Sequence, residues 1–245
     1  AMPHERLRVE LELLFSQSRL APAAGWCDVL DLPAFFFGKG AGLAGASSTT
    51  LRAAKKLDQW RASRLATGPA TPRDPASVAN SPLALHWPLF TELFSSSHAA
   101  TASRLRDLAR RGLMTRACCD AALRLLAPAW EAPPDEVARR RWLHEAGPRW
   151  RDTIALRAAL AASEVAVEDW RNLEAEVLAW PASERAWILS PPALLPGEDI
   201  QSLLGIAPGP AVGAALARVR RAQVEGVVRV REEAEELLRS GPAAD

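Results

Sequence analysis

From Thr101 onward, the apolar residues of this 245-residue chain recur three or four positions apart, and most of the runs close on Gly or Pro. That spacing marks one face of an α-helix, and it leaves few other folds open. Leu105 and Leu108 lead to Gly112, placed to end a helix in a left-handed turn. Thr115 stands where the next helix needs a cap, and Cys119, Ala122, Leu123 and Leu126 mark its inner face. Pro133-Pro134-Asp135 opens a helix running to His144, and Gly147-Pro148 ends it. Trp150, Ile154, Ala158 and Ala161 share one face of the following helix. Val167, Trp170, Leu173, Val177 and Leu178 share one in the helix after that, which stops at Trp180-Pro181. No segment alternates apolar and polar residues between hairpin turns, and no fixed-length repeat occurs. The expected fold class is all-α.

The N-terminal part is less regular. Leu7, Leu11, Leu14 and Phe15 make one helical stripe. Gly38–Thr50 and Ala66–Pro82 are rich in turn-forming residues and read as loops, with a short charged helix, Leu51–Leu65, between them. With 49% hydrophobic and 24% charged residues, the composition is that of a soluble globular protein. A chain of this size can bury roughly 70–75% of its unfolded surface and needs no metal or disulfide to hold it. Cys27, Cys118 and Cys119 have no zinc-type spacing and read as small buried residues in a reducing compartment. Most of the nine Trp read as helix-face anchors. No signal peptide is evident. The longest apolar stretch, Leu203 to Ala217, is too short to span a bilayer and contains two prolines. A cytoplasmic protein with no membrane partner is expected. Lys+Arg number 30 against Asp+Glu 29, so any nucleic-acid surface must come from where the charges sit.

Catalytic constellations are missing. His4, His86, His98 and His144 have no metal-ligand spacing. The glycines of Gly38–Gly45 precede no Lys-Ser/Thr pair, so they form no phosphate loop. No nucleophile elbow and no paired aspartates after a Gly-Ser loop occur. The expectation is a chain with no catalytic site and no cofactor of its own.

The most specific stretch runs from Leu195 to Gly226. Asp199 can cap a short helix ending at Leu204, and Gly205 allows the positive-φ turn that stops it. Pro208-Gly209-Pro210 is a rigid turn, and Pro210 suits the first position of a second helix. Gly213, lacking Cβ, admits another backbone. This predicts a helix-hairpin-helix. The second helix spans about Ala211 to Glu225 and exposes amides at its N-terminus, an anion site in the making. Val212, Leu216, Val219 and Gln223 share its inner side. At roughly 100° per residue, Arg218 and Arg221 project from the other side, at about 240° and about 180° from Val212. Gly226 ends the helix. Arg218, Arg220, Arg221, Arg229 and Arg231 gather against one acid, Glu225. Four glutamates then follow at a helix N-terminus, where the dipole favours them. Simple pairing of these arginines with the glutamates is the alternative to a binding role.

The run G-E-D-I-x-x-L-L-G-I-x-P-G-P-x-V-G, continuing through a helix to Gly226, resembles the tail-domain signature of bacterial tRNA nucleotidyltransferases (CCA-adding enzymes) and their poly(A) polymerase relatives. Glu5-Arg6-Leu7-Arg8-Val9-Glu10-Leu11 resembles the helix closing that family's neck domain, with Arg6 and Glu10 at the matching positions. It lies about 190 residues upstream of the tail motif, as in the family. Residues 38–82 depart from the family pattern. The resemblance implies an elongated multi-helix body and tail. Residues 1–130 would hold the neck end and body, with the insert at 38–82, and residues 131–245 the tail. It implies a region that grips tRNA, or another RNA 3′-end substrate, while Mg²⁺ and nucleotide bind a catalytic head ahead of Met2. Gly209, Gly213, Arg218, Arg221 and Arg229 would then face RNA. A stand-alone helical protein-interaction module derived from that family is the alternative.

Overall fold

The computed structural model describes residues 4–15, 52–59 and 98–241. Every regular element among them is helical, with no strand: α1 (His4–Phe15), a helical stretch over 52–59, α2 (His98–Arg110), α3 (Arg116–Leu126), α4 (Glu136–Ala146), α5 (Trp150–Leu160), α6 (Glu164–Ala179), α7 (Ala182–Leu189), α8 (Gly197–Leu204), α9 (Pro210–Glu225) and α10 (Arg231–Arg239). The all-α class read from the periodicity is what the described chain adopts. Gly38–Thr50, Ala66–Pro82 and the ends of the helix expected over Leu51–Leu65 lie outside the described residues. No described helix is long and apolar enough to cross a membrane. Two compact units divide the chain, one of residues 1–130 and 149–172, the other of 131–148 and 173–245.

In the first unit α3 packs against α2 and α5. Leu105, Leu108 and Leu113 are buried, and Gly112 makes the turn at φ +71°. The Thr115 hydroxyl accepts the Cys118 amide at 3.2 Å and so caps α3. The inner face of α3 is broader than its spacing suggests. Cys118, Ala121 and Leu125 join Cys119, Ala122 and Leu126, while Leu123 is only half-buried. Cys118 and Cys119 are free thiols. Burial, with help from Glu12, pushes Cys118 up to about 12, so it stays protonated and behaves as an apolar residue. Cys27 lies outside the described residues.

α5 is buried more widely than its spacing suggests. Its apolar residues suggest a single buried face, yet Thr153 through Ala159 are all buried in succession. Seven consecutive positions cover every direction around a helix, so α5 is wrapped on all sides. Arg157, 2% exposed, sits among them. Its Nη2 donates to the carbonyls of Pro128 at 2.7 Å and Leu126 at 3.3 Å. Its guanidinium stacks 3.6 Å from the Trp130 ring centroid. The carbonyls past the end of α3 thus receive the donors that a terminated helix lacks. In α6, Val167, Trp170, Leu173 and Val177 are buried, but Leu178 is 45% exposed and does not belong to their face.

In the second unit α9 is central, packing against α4, α7, α8 and α10. Its core joins Leu195 and Ile200 to Val212, Ala215, Val219 and Ala222 of α9 and to Val228, Ala234 and Leu238 beyond it. Leu216, read as an inner residue, is 38% exposed; Ala215 and Ala222 take the buried positions.

Candidate nucleic-acid interface

The run from Gly197 to Gly226 folds as one helix-hairpin-helix. Gly205 adopts φ +64° and donates its amide to Gln201, with Ile206 following to the same carbonyl at 3.2 Å. Pro210 is the first residue of α9, where its missing N–H costs nothing. Gly226, at φ +85°, ends α9 by donating to Ala222 and Gln223. A side chain there would also meet Arg140, whose Nη2 lies 3.0 Å from the position of an added Cβ. Asp199 does not cap α8. The helix starts at Gly197, two residues earlier, and Pro196 precedes it. The Asp199 amide already bonds to Pro196, and its carboxylate instead pairs with Arg231 at 2.7 Å.

At the start of α9 no side chain caps the helix. Gly209 sits at φ 157° and ψ −164°, a combination open essentially to glycine alone. Its carbonyl takes the amides of Val212 at 3.1 Å and Gly213 at 3.4 Å. The first turn therefore exposes fewer free amides than expected. Gly213 admits no neighbouring backbone, since nothing lies within 4 Å of where its Cβ would be. Its smallness instead leaves open surface, alongside exposed Pro208, Gly209, Pro210, Ala211 and Ala214.

The arginines do not gather against Glu225 alone; acids distant in sequence divide them. Arg221 and Arg141 both donate Nε to Glu225 Oε1, at 2.8 Å and 2.6 Å. Arg229 grips Glu184 with both Nη groups, at 2.8 Å and 2.6 Å, and lies 5.4 Å from the Trp187 ring centroid. Arg140, buried, donates to the same Glu184 and gives Nε to the Val224 carbonyl at 2.9 Å. Arg231 pairs with Glu235 and Asp199, and Arg220 donates to the Pro191 carbonyl. Arg218, half-buried, has no ion pair among the described residues. Of the sequence-predicted site residues, Gly209, Gly213, Arg218 and Arg221 therefore share α9 and its entry, whereas Arg229 is bound to α7.

The electrostatics follow these pairings. The Arg229 hydrogen bonds hold the Glu184 carboxyl below its usual range, against burial and together with Arg140. Arg229 is raised in return, chiefly by Glu184. Burial pushes Glu225 up, but Arg141 and Arg221 outweigh it and the net shift is downward. Four glutamates follow Arg231, and Glu233 reaches back to the Arg229 amide at 2.6 Å, tying the N-terminus of α10. Arg140, Arg141 and Glu184 were not among the sequence candidates. Their partners lie 84, 84 and 45 residues away, beyond the reach of any spacing rule.

No group of His, Cys, Asp or Glu among the described residues could hold a metal ion. No protein-family model, curated protein or solved structure matches this chain.

Proposed function

We propose that this chain is the RNA-holding body and tail region of a nucleotidyltransferase of the tRNA CCA-adding and poly(A) polymerase type. The observation that supports this reading is a stripe on α9. Ala211, Ala214, Arg218 and Arg221 recur at helical spacing along one side. The stripe begins at an uncapped helix N-terminus flanked by exposed Gly209 and Pro210. Small residues beside arginines let a sugar-phosphate backbone come close, and the positive end of the helix dipole adds to the attraction. Such contacts position RNA without reading its bases. Nucleotidyl transfer, with its Mg²⁺ and nucleotide, belongs in this reading to a catalytic head. The residues described here bind and orient the substrate, in the cytoplasm.

The test is tRNA binding across a salt series. Arg218→Ala combined with Arg221→Ala weakens binding and lowers the slope of log K against log salt by about 1 to 2, since each lost phosphate contact is worth roughly 0.9. An unchanged slope in a folded variant rules the reading out. A second reading, a helical protein-interaction module, draws on a cavity of about 290 Å³ lined largely by Leu194, Leu195, Leu216 and Val219. Failure of the wild-type chain to shift tRNA at low salt would favour it.

A further inference from the structure

We infer that Arg141, on α4, joins Arg218 and Arg221 of α9 in a single phosphate-binding cluster, with Glu225 as the clasp that holds it in shape. The inference rests on the RNA reading above and adds a second helix to the surface. Two guanidinium groups, those of Arg141 and Arg221, meet one carboxylate, and Arg218 adds a third charge one turn away on α9, which leaves a local excess of positive charge. What distinguishes this cluster from the others in the same unit is how the arginines are held. Arg141 and Arg221 each touch Glu225 through Nε, and both reach the same carboxylate oxygen. Neither places an Nη group on Glu225 or on any other described residue. Guanidinium presents five N–H donors in a planar fork, so the outer edge of each fork remains open to a phosphate. Arg229, which the family resemblance implies faces RNA, is the contrast: both its Nη groups are committed to Glu184, so it has no such open fork.

Exposure runs the same way. The side chains of Arg141 and Arg221 are 47% and 67% exposed, while that of Glu225 is 16% exposed. The anion is tucked beneath its arginines, so a ligand meets cationic edges before it meets the carboxylate. Glu225 lies at the last position of α9 and Arg141 on α4, which packs directly against it. Arg218 stands one turn before Arg221 and extends the cationic edge toward the open N-terminus of the helix. Bidentate guanidinium-phosphate contact is the geometry such forks favour.

The experiment uses the full chain and two probes, a tRNA and inorganic tripolyphosphate, with wild type, Arg141→Ala, Glu225→Gln and Arg171→Ala. Arg171 is a control, an exposed arginine paired with Glu168 in the other unit. Arg141→Ala is expected to weaken tRNA binding by about three- to tenfold near 0.1 M salt and to lower the salt slope by roughly 0.9. Arg171→Ala should match wild type. Glu225→Gln separates ligand contact from scaffolding. It breaks the clasp but raises the local charge, so binding should hold or tighten. A loss equal to that of Arg141→Ala means that Arg141 matters only through the ion pair, and overturns the inference. Wild-type tRNA binding that Arg141→Ala leaves unchanged overturns it too, with the RNA reading intact. Tripolyphosphate binding that Arg141→Ala abolishes, in a chain that ignores tRNA, keeps the cluster and removes the RNA reading. Binding of neither probe removes both.

Discussion

Each unit buries an arginine, and the described partners around the two differ in kind. Arg157 in the first unit faces backbone carbonyls and the face of Trp130. Arg140 in the second, 5% exposed, faces the Glu184 carboxylate and the Val224 carbonyl, with Trp180 5.8 Å away. Carbonyl dipoles and an aromatic ring do not titrate; a carboxylate does. The described partners of Arg157 are thus indifferent to pH, whereas Arg140 belongs to an ion-pair network that acid can dismantle. Burying a charge is expensive in either case, and each arrangement works only while its partners remain.

The largest effect that would test this contrast is Arg157→Met. The carbonyls of Leu126 and Pro128 would lose their donor in a dry environment, and the cation-π stack would go with it. A loss of about 3–5 kcal/mol in urea unfolding is expected. A loss below about 1 kcal/mol would mean that water or a shifted helix end supplies the carbonyls, and would break the comparison.

Next comes Glu184→Gln, which leaves buried Arg140 only Glu136, at 3.5 Å, as a charged partner and releases Arg229. A loss of about 2 kcal/mol at neutral pH is expected. The Glu184 carboxyl is held below its ordinary value of 4.5 in the folded protein. Its contribution is thus fully present above about pH 4.5 and fades as the pH falls through the lower, folded value. Unfolding curves of wild type and Glu184→Gln should converge on acidification, and a gap that persists at low pH would show that the Glu184 carboxylate is not what acid dismantles. The smallest effect sharpens the local side of the picture. Thr115→Ala removes the cap of α3 and should cost about 1 kcal/mol, with no dependence on salt or pH in the same titration.

Features that depend on neighbours in sequence were legible. Thr115 caps its helix as its place suggests, and the helix that Pro133-Pro134-Asp135 is expected to open does start there, with Asp135 as its cap. Gly112, Gly205 and Gly226 take positive φ where a helix must stop, and Pro210 opens α9. Asp199 was misjudged by the same local logic, because Gly197 rather than Asp199 sets where α8 begins and Arg231 claims the carboxylate. Binding surfaces were legible only in part. Arg218 and Arg221 fall on one side of α9 by periodicity alone, but nothing in their surroundings reveals Arg141 beside them or Glu184 waiting for Arg229.

Helix period, turn chemistry and capping are short-range properties, set within a few residues by backbone sterics and hydrogen-bond geometry. The sequence by itself therefore determined an all-α chain, the stops between its helices and the hairpin at Gly205–Pro210. That α5 is buried on every side, and which arginines keep their donors open, were decided only by packing. Both depend on residues tens of positions apart that come together when apolar surface is removed from water. The tertiary structure turned a row of arginines into two kinds: Arg140, Arg157 and Arg229 closed on internal partners, Arg141, Arg218 and Arg221 left with an edge toward solvent.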